Sequence, residues 1–212
     1  MKFLKCKSGI YIEHNGCLVK AGNHKLPETT LVINMGSAHR CPSRAMGLCK
    51  VSKHCYAYAD ENTYRSVERY RNRQQIYWRK KSAREITADL AQIIAAVYGR
   101  YGFLIDKIRF NESGDFFSQR DVYKLNFVTE NLRGIYPHLI VYGYTARYDL
   151  DYRGIVFRVK FSGYPNGPWG STYVMPENQI PKGSPVCPGS CKKCSLCATS
   201  AADIIFPLRK RS

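Results

Sequence analysis

Four cysteines near the C-terminus, Cys187, Cys191, Cys194 and Cys197, follow a C-x3-C-x2-C-x2-C pattern. Thiols this dense in sequence point to metal chemistry, and two metals stay open. Zinc sites usually pair two short Cys knuckles across a wide gap. Closely spaced cysteines resemble the ligand runs of iron–sulfur proteins, so the spacing favours a cluster, with zinc as the alternative for this group. A second set, Cys41-x7-Cys49-x5-Cys55, would hold three irons of a [4Fe–4S] cluster and leave the fourth iron open to a small molecule. His39 and His54 lie beside it and offer a zinc alternative. Cys6 and Cys17 have no motif spacing and read as buried structural thiols.

Nine cysteines stand in a chain whose first residues, MKFLKCKSGIYIEH, lack an apolar core of signal-peptide length. Disulfides are rare in the reducing cytoplasm, so a cytoplasmic location and ligand or redox roles for the thiols are expected together. No run of about 18 apolar residues offers a membrane span. The 212 residues suffice for one ordinary domain with a substantial core.

Charge supplies the second chemical signal. Lys and Arg number 33 against 16 Asp and Glu, a formal charge of +17, which suits a polyanion such as nucleic acid. Residues 62–84 read as a basic helix with eight cations and the single acid Glu68. Arg69, Arg73 and Lys80 fall four and seven residues apart, on one helical face, where they would meet phosphates. Trp78, with Tyr70 and Tyr77, would stack on unpaired bases or else pack on the core.

These groups need elements to hold them. Asn15-Gly16 between two short β-branched runs signals a hairpin. Thr29–Met35 reads as a buried strand that runs into a long loop, 36–58, carrying the first three cysteines. Ser82-x-x-Glu85 is a capping box that opens a helix with Ile86, Leu90, Ile93 and Val97 on its apolar face. Strands are expected at 105–110, 139–142, 155–159 and 172–174, with a helix from Ser118 to Gly134 between the first two. Strands alternating with helices imply a mainly parallel sheet with right-handed crossovers. Sites in such sheets form beyond the C-terminal strand ends. That places the Cys41–Cys55 loop, Glu112-Ser113-Gly114-Asp115 and Tyr144-Thr145-Ala146-Arg147 on one rim. The Leu208–Arg211 tail reads as basic and frayed.

The segments RFNESGDFFSQRDVYKL, YPHLIVYGYTARYDL and CKKCSLCATSAADIIFPL, with CYA upstream, resemble the phage gene product 88 family, which implies a grouping without an activity. The element order also resembles a radical S-adenosylmethionine (SAM) core, although that superfamily uses C-x3-C-x2-C and two adjacent glycines. This wider resemblance implies a cluster on Cys41, Cys49 and Cys55. It also implies SAM held through Glu112, Ser113, Gly114 and Asp115, with Tyr144 and Arg147 lining the substrate side. The fold expected is then α/β, a partial (β/α) barrel-like sheet resembling a truncated radical SAM core. An N-terminal hairpin (1–28) would precede that core (29–175), and a Cys-rich metal-binding segment (176–212) would follow it. The function expected is an iron–sulfur protein resembling a radical SAM enzyme that acts on nucleic acid. The alternative is a non-catalytic nucleic-acid-binding protein stabilised by metal. The sequence assigns no catalytic residue.

Overall fold

The computed structural model describes residues 1–208. Its centre is one sheet of nine strands in sequential order. Three antiparallel strands form a meander: β1 (Lys2–Cys6), β2 (Gly9–His14) and β3 (Cys17–Ala21). The β2–β3 turn is the expected hairpin. Asn15 and Gly16 take φ of 49° and 82°, the left-handed pair that matches the twist of the flanking strands. β3 pairs antiparallel with β4 (Thr30–Ile33). The remaining strands add in parallel: β5 (Lys107–Phe110), β6 (Ile140–Thr145), β7 (Arg158–Ser162), β8 (Ser171–Met175) and β9 (Ile204–Pro207).

The sheet is therefore mixed and open, which corrects the expectation of a barrel-like core with a metal-binding extension. β1 and β9 are its two edges. The meander extends the sheet beyond β4, and among the described residues no pairing joins the edges. Strands β1 and β9 were not anticipated. β1 is short and mostly exposed, and β9 follows a Cys-rich stretch without period-2 patterning.

The long loop contains a short helix α1 (Pro42–Ala45) and leads into α2 (Tyr56–Thr63). The basic helix is α3 (Arg65–Lys80), separated from α2 by the extended Tyr64. α4 (Ala83–Tyr101) starts on the Ser82–Glu85 capping box and ends at Gly102 in the left-handed conformation, three residues beyond the expected stop at Gly99. α5 (Gln119–Ile135) begins on a second box made by Ser118 and Asp121. A last turn, α6 (Leu196–Thr199), packs against β6.

The apolar faces of α4 and α5 close over one side of the sheet. Ile86, Leu90, Ile93 and Val97 meet Leu31, Ile33, Ile108, Phe110 and Val141, with Val122, Leu125, Val128 and Leu132 from α5. Strand alternation sends Arg109, Tyr142 and Tyr144 to the opposite side, where the Cys187–Ala198 segment lies. The basic residues 209–211 of the expected frayed tail lie outside the described residues.

Candidate functional site

The C-terminal ends of β4, β5 and β6 carry a closely connected polar cluster. Asn34 accepts the Ser113 N–H at 2.9 Å and donates to Gln74 at 2.8 Å. Asn111, with φ of 51°, turns its side-chain oxygen toward the Met35 N–H. Glu61 of α2 is the hub. It accepts the Ala38 and His39 N–H groups, the Ser113 hydroxyl at 3.1 Å and the Arg71 guanidinium at 3.0 Å. Burial pushes the Glu61 carboxyl up, but those two backbone donors and Arg71 together hold it below the usual carboxylate range. Nothing in the sequence singles out Glu61, and Arg71 is one of eight cations in the basic helix. Yet Arg71 is 4% exposed.

Asp115 is the second hub. It accepts the Thr145 hydroxyl at 2.6 Å and the Ala146 and Phe116 N–H groups at 2.8 Å. Burial nevertheless pushes its carboxyl above the usual range. Arg147 donates to the carbonyls of Phe116 and Phe117 and pairs with Asp149. Glu112 accepts from Asn23 at 2.8 Å. Ser113 and Asp115, expected to hold SAM, and Arg147, expected on the substrate side, thus come together on this rim, each engaged by protein partners. Tyr144 does not join them. It points to the other face of the sheet, with Phe206 at 6.2 Å and the Arg109 guanidinium at 5.3 Å from its ring.

Gly114 explains why this rim closes so tightly. Its φ is +74°, and a Cβ there would lie 2.6 Å from the Gly36 carbonyl oxygen and 2.8 Å from the Gly36 nitrogen. Both the conformation and the backbone contact require glycine. Gly114→Ala should cost more than about 1 kcal/mol, read as a lower urea midpoint at an unchanged m-value. An unchanged midpoint would show that the β4 and β5 loops do not pack as described.

The cysteine groups do not behave as expected. Among the described residues, no three His, Cys, Asp or Glu side chains form a group that could hold a metal ion. This overturns the [4Fe–4S] reading for Cys41, Cys49 and Cys55 and the iron–sulfur or zinc reading for Cys187, Cys191, Cys194 and Cys197. The radical SAM enzyme, which needs that cluster, falls with it, as does the metal-stabilised alternative. The three thiols of the first group sit in unlike local settings. The chain between Cys41 and Cys49 folds into α1 and its turn, while Cys55 starts α2. Cys41 hydrogen-bonds Ser43 Oγ at 3.1 Å, and burial pushes its thiol up to about 11. His39 faces Glu61 and Asn62. All nine cysteines are free thiols. Cys17 is buried as expected, but Cys6 is exposed, its thiol near Ser8 Oγ.

α3 presents two unlike faces. Arg71, Gln74, Gln75, Tyr77 and Trp78 point inward. Arg65, Arg69, Arg73 and Lys80 are exposed and recur at spacings of four, four and seven, a cationic stripe along the outer surface. Arg73 pairs there with Glu13 of β2. Arg79 is also exposed, its guanidinium 4.1 Å from the centre of the Phe117 ring. For Trp78 and Tyr77 the core alternative is the one found, which removes Trp78 from the expected nucleic-acid contacts. Trp78 is 1% exposed and donates its indole N–H to Asp121 at 2.9 Å, and Tyr77 donates to Asp89. Neither ring face is open to a base. The open aromatic ring is Tyr64, 60% exposed beside the first arginine of the stripe.

No helix among the described residues is long and apolar enough to cross a membrane. Residues 7–160 match the family model described as Gene product 88. No curated protein and no solved structure matches the chain.

Proposed function

The chain belongs to the gene product 88 family, and on that premise we propose that it is a nucleic-acid-binding protein that docks through the outer face of α3. The observation that carries this reading is the exposed stripe of Arg65, Arg69, Arg73 and Lys80 on a helix whose other face is buried. A formal charge of +17 adds a long-range field that draws polyanions to the surface. Phosphates would lie along the stripe. Tyr64 at its N-terminal end supplies a ring on which an unpaired base can stack. A cytoplasmic location belongs to the same proposal, a reducing compartment suiting a chain with nine cysteines.

Binding to a single-stranded oligonucleotide should weaken steeply with salt. Each phosphate contact contributes roughly −0.7 to the slope of log K against log salt concentration. The Arg69→Ala/Arg73→Ala/Lys80→Ala variant should therefore flatten that slope by about 2. Glu13→Gln should act in the opposite direction by releasing Arg73 from its ion pair. A triple variant that keeps the parent slope would overturn the interface. The rim cluster serves here as the scaffold of α3, since Gln74 and Arg71 tie the helix to Asn34 and Glu61.

A further inference from the structure

On the sheet face opposite α4 and α5, a cavity of about 270 Å³ is lined by Thr30, Tyr142 and all four C-terminal cysteines. The geometry points to a dithiol–disulfide site at Cys191 and Cys194 that exchanges with low-molecular-weight disulfides. Three observations carry it. First, the Cys194 N–H bonds back to the Cys191 carbonyl at 3.4 Å. A four-residue turn closed in this way holds its end Cα atoms within about 7 Å, the span that a disulfide can bridge. Second, all four thiols are free and half-buried, neither sealed in the core nor spread over the surface. Third, the two residues inside the turn are Lys192 and Lys193, both exposed. Their charges attract an anionic thiol reagent such as glutathione disulfide. The turn itself is anchored, because the Cys191 N–H donates to the Lys25 carbonyl and the Cys187 N–H to Ile205, both at 2.8 Å.

The exchange runs in two displacements. Cys194, as thiolate, attacks one sulfur of the small disulfide, forming a mixed disulfide and expelling one thiolate. Cys191 then attacks the Cys194 sulfur, closing the intramolecular bond and expelling the second thiolate. The two protons lost by the cysteines pass to the two leaving thiolates. The protein pair is oxidised by two electrons, and one small disulfide is reduced to two thiols. A reversible bond of this kind is the sort of disulfide that cytosolic proteins form.

The test uses the full chain equilibrated without oxygen in a graded series of glutathione and glutathione disulfide, quenched in acid and alkylated. At the oxidising end, two of the nine cysteines should escape alkylation and return on adding dithiothreitol. Trypsin cuts after Lys192 and Lys193, so the bond should appear as two linked peptides. Fragmentation of that linked species in the unaltered chain should join Cys191 to Cys194, with no dependence on how a variant folds. Cys187→Ser and Cys197→Ser should keep the link, and Cys191→Ser should abolish it. Nine alkylated thiols throughout the series, glutathione adducts without a linked pair, or a link through other cysteines would each overturn the assignment.

Discussion

Glu61→Ala should lower stability by about 3–5 kcal/mol, the cost of stranding a buried charge by removing its partner. For a chain of this size that is a fall in melting temperature on the order of 10 °C. The Glu61 side chain is fully buried and the Arg71 side chain only 5% exposed. Without the carboxylate, the Arg71 guanidinium keeps the Ala57 carbonyl but loses its counter-charge. The N–H groups of Ala38 and His39 lose their acceptor, as does Ser113. Glu61→Gln/Arg71→Met should recover part of the loss, because neither residue then leaves a buried charge unpaired. The carboxyl is held below its unfolded value of 4.5. Its contribution is therefore present above pH 4.5 and is lost as pH falls through the lower, folded-state value. In Glu61→Gln that share of the acid-side loss should be absent from the stability–pH curve. A melting temperature within about 2 °C of the parent in Glu61→Ala, less than one kcal/mol on this scale, would show that the cluster does not hold the rim together.

The contrast between Glu61 and the Ser82–Glu85 box shows what was legible in the sequence. Caps and turns are local signals. The Ser82–Glu85 capping box, the helix start at Ser118 and the Asn15-Gly16 hairpin stand where the chain announced them, because the donor, acceptor and φ requirement all sit within four residues. Helix faces are nearly as local, which is why the apolar stripe of α4 is readable in the sequence. Glu61 draws its partners from 10 to 52 positions away, and no spacing rule reaches that far. The burial of Arg71 is hidden for the same reason. One cation among eight looks like surface until a carboxylate from another helix is placed beside it. The cysteines failed differently. Motif density in sequence says how many thiols are near each other along the chain, not whether their sulfurs converge. Among the described residues no three of them join in a group that could hold a metal ion.

Trp78→Ala carries the second large effect, and it separates fold from binding on the same helix. Trp78 is among the largest fully buried side chains, and truncating such a residue costs about 3–5 kcal/mol through lost transfer energy and the cavity left behind. Two further contacts add to the loss. The indole N–H bonds Asp121 Oδ1, while the other oxygen of that carboxylate caps the start of α5 through the Phe117 and Ser118 N–H groups. Lys124 lies with its ammonium 5.1 Å from the centre of the indole and donates to the Trp78 carbonyl. Trp78 therefore pins the C-terminal end of α3 to the N-terminal end of α5. Trp78→Phe keeps most of the apolar volume and loses the N–H donor, so it should cost clearly less than the alanine variant in urea unfolding. Folded Trp78→Phe should bind single-stranded nucleic acid with the parent affinity and salt slope, since the ring faces the core. Tyr64→Ala should do the reverse. Its exposed ring contributes little to stability, and losing base stacking should cost about 1–3 kcal/mol of affinity at every salt concentration. Parent stability in Trp78→Ala combined with weakened binding would return Trp78 to the interface and remove Tyr64 from it.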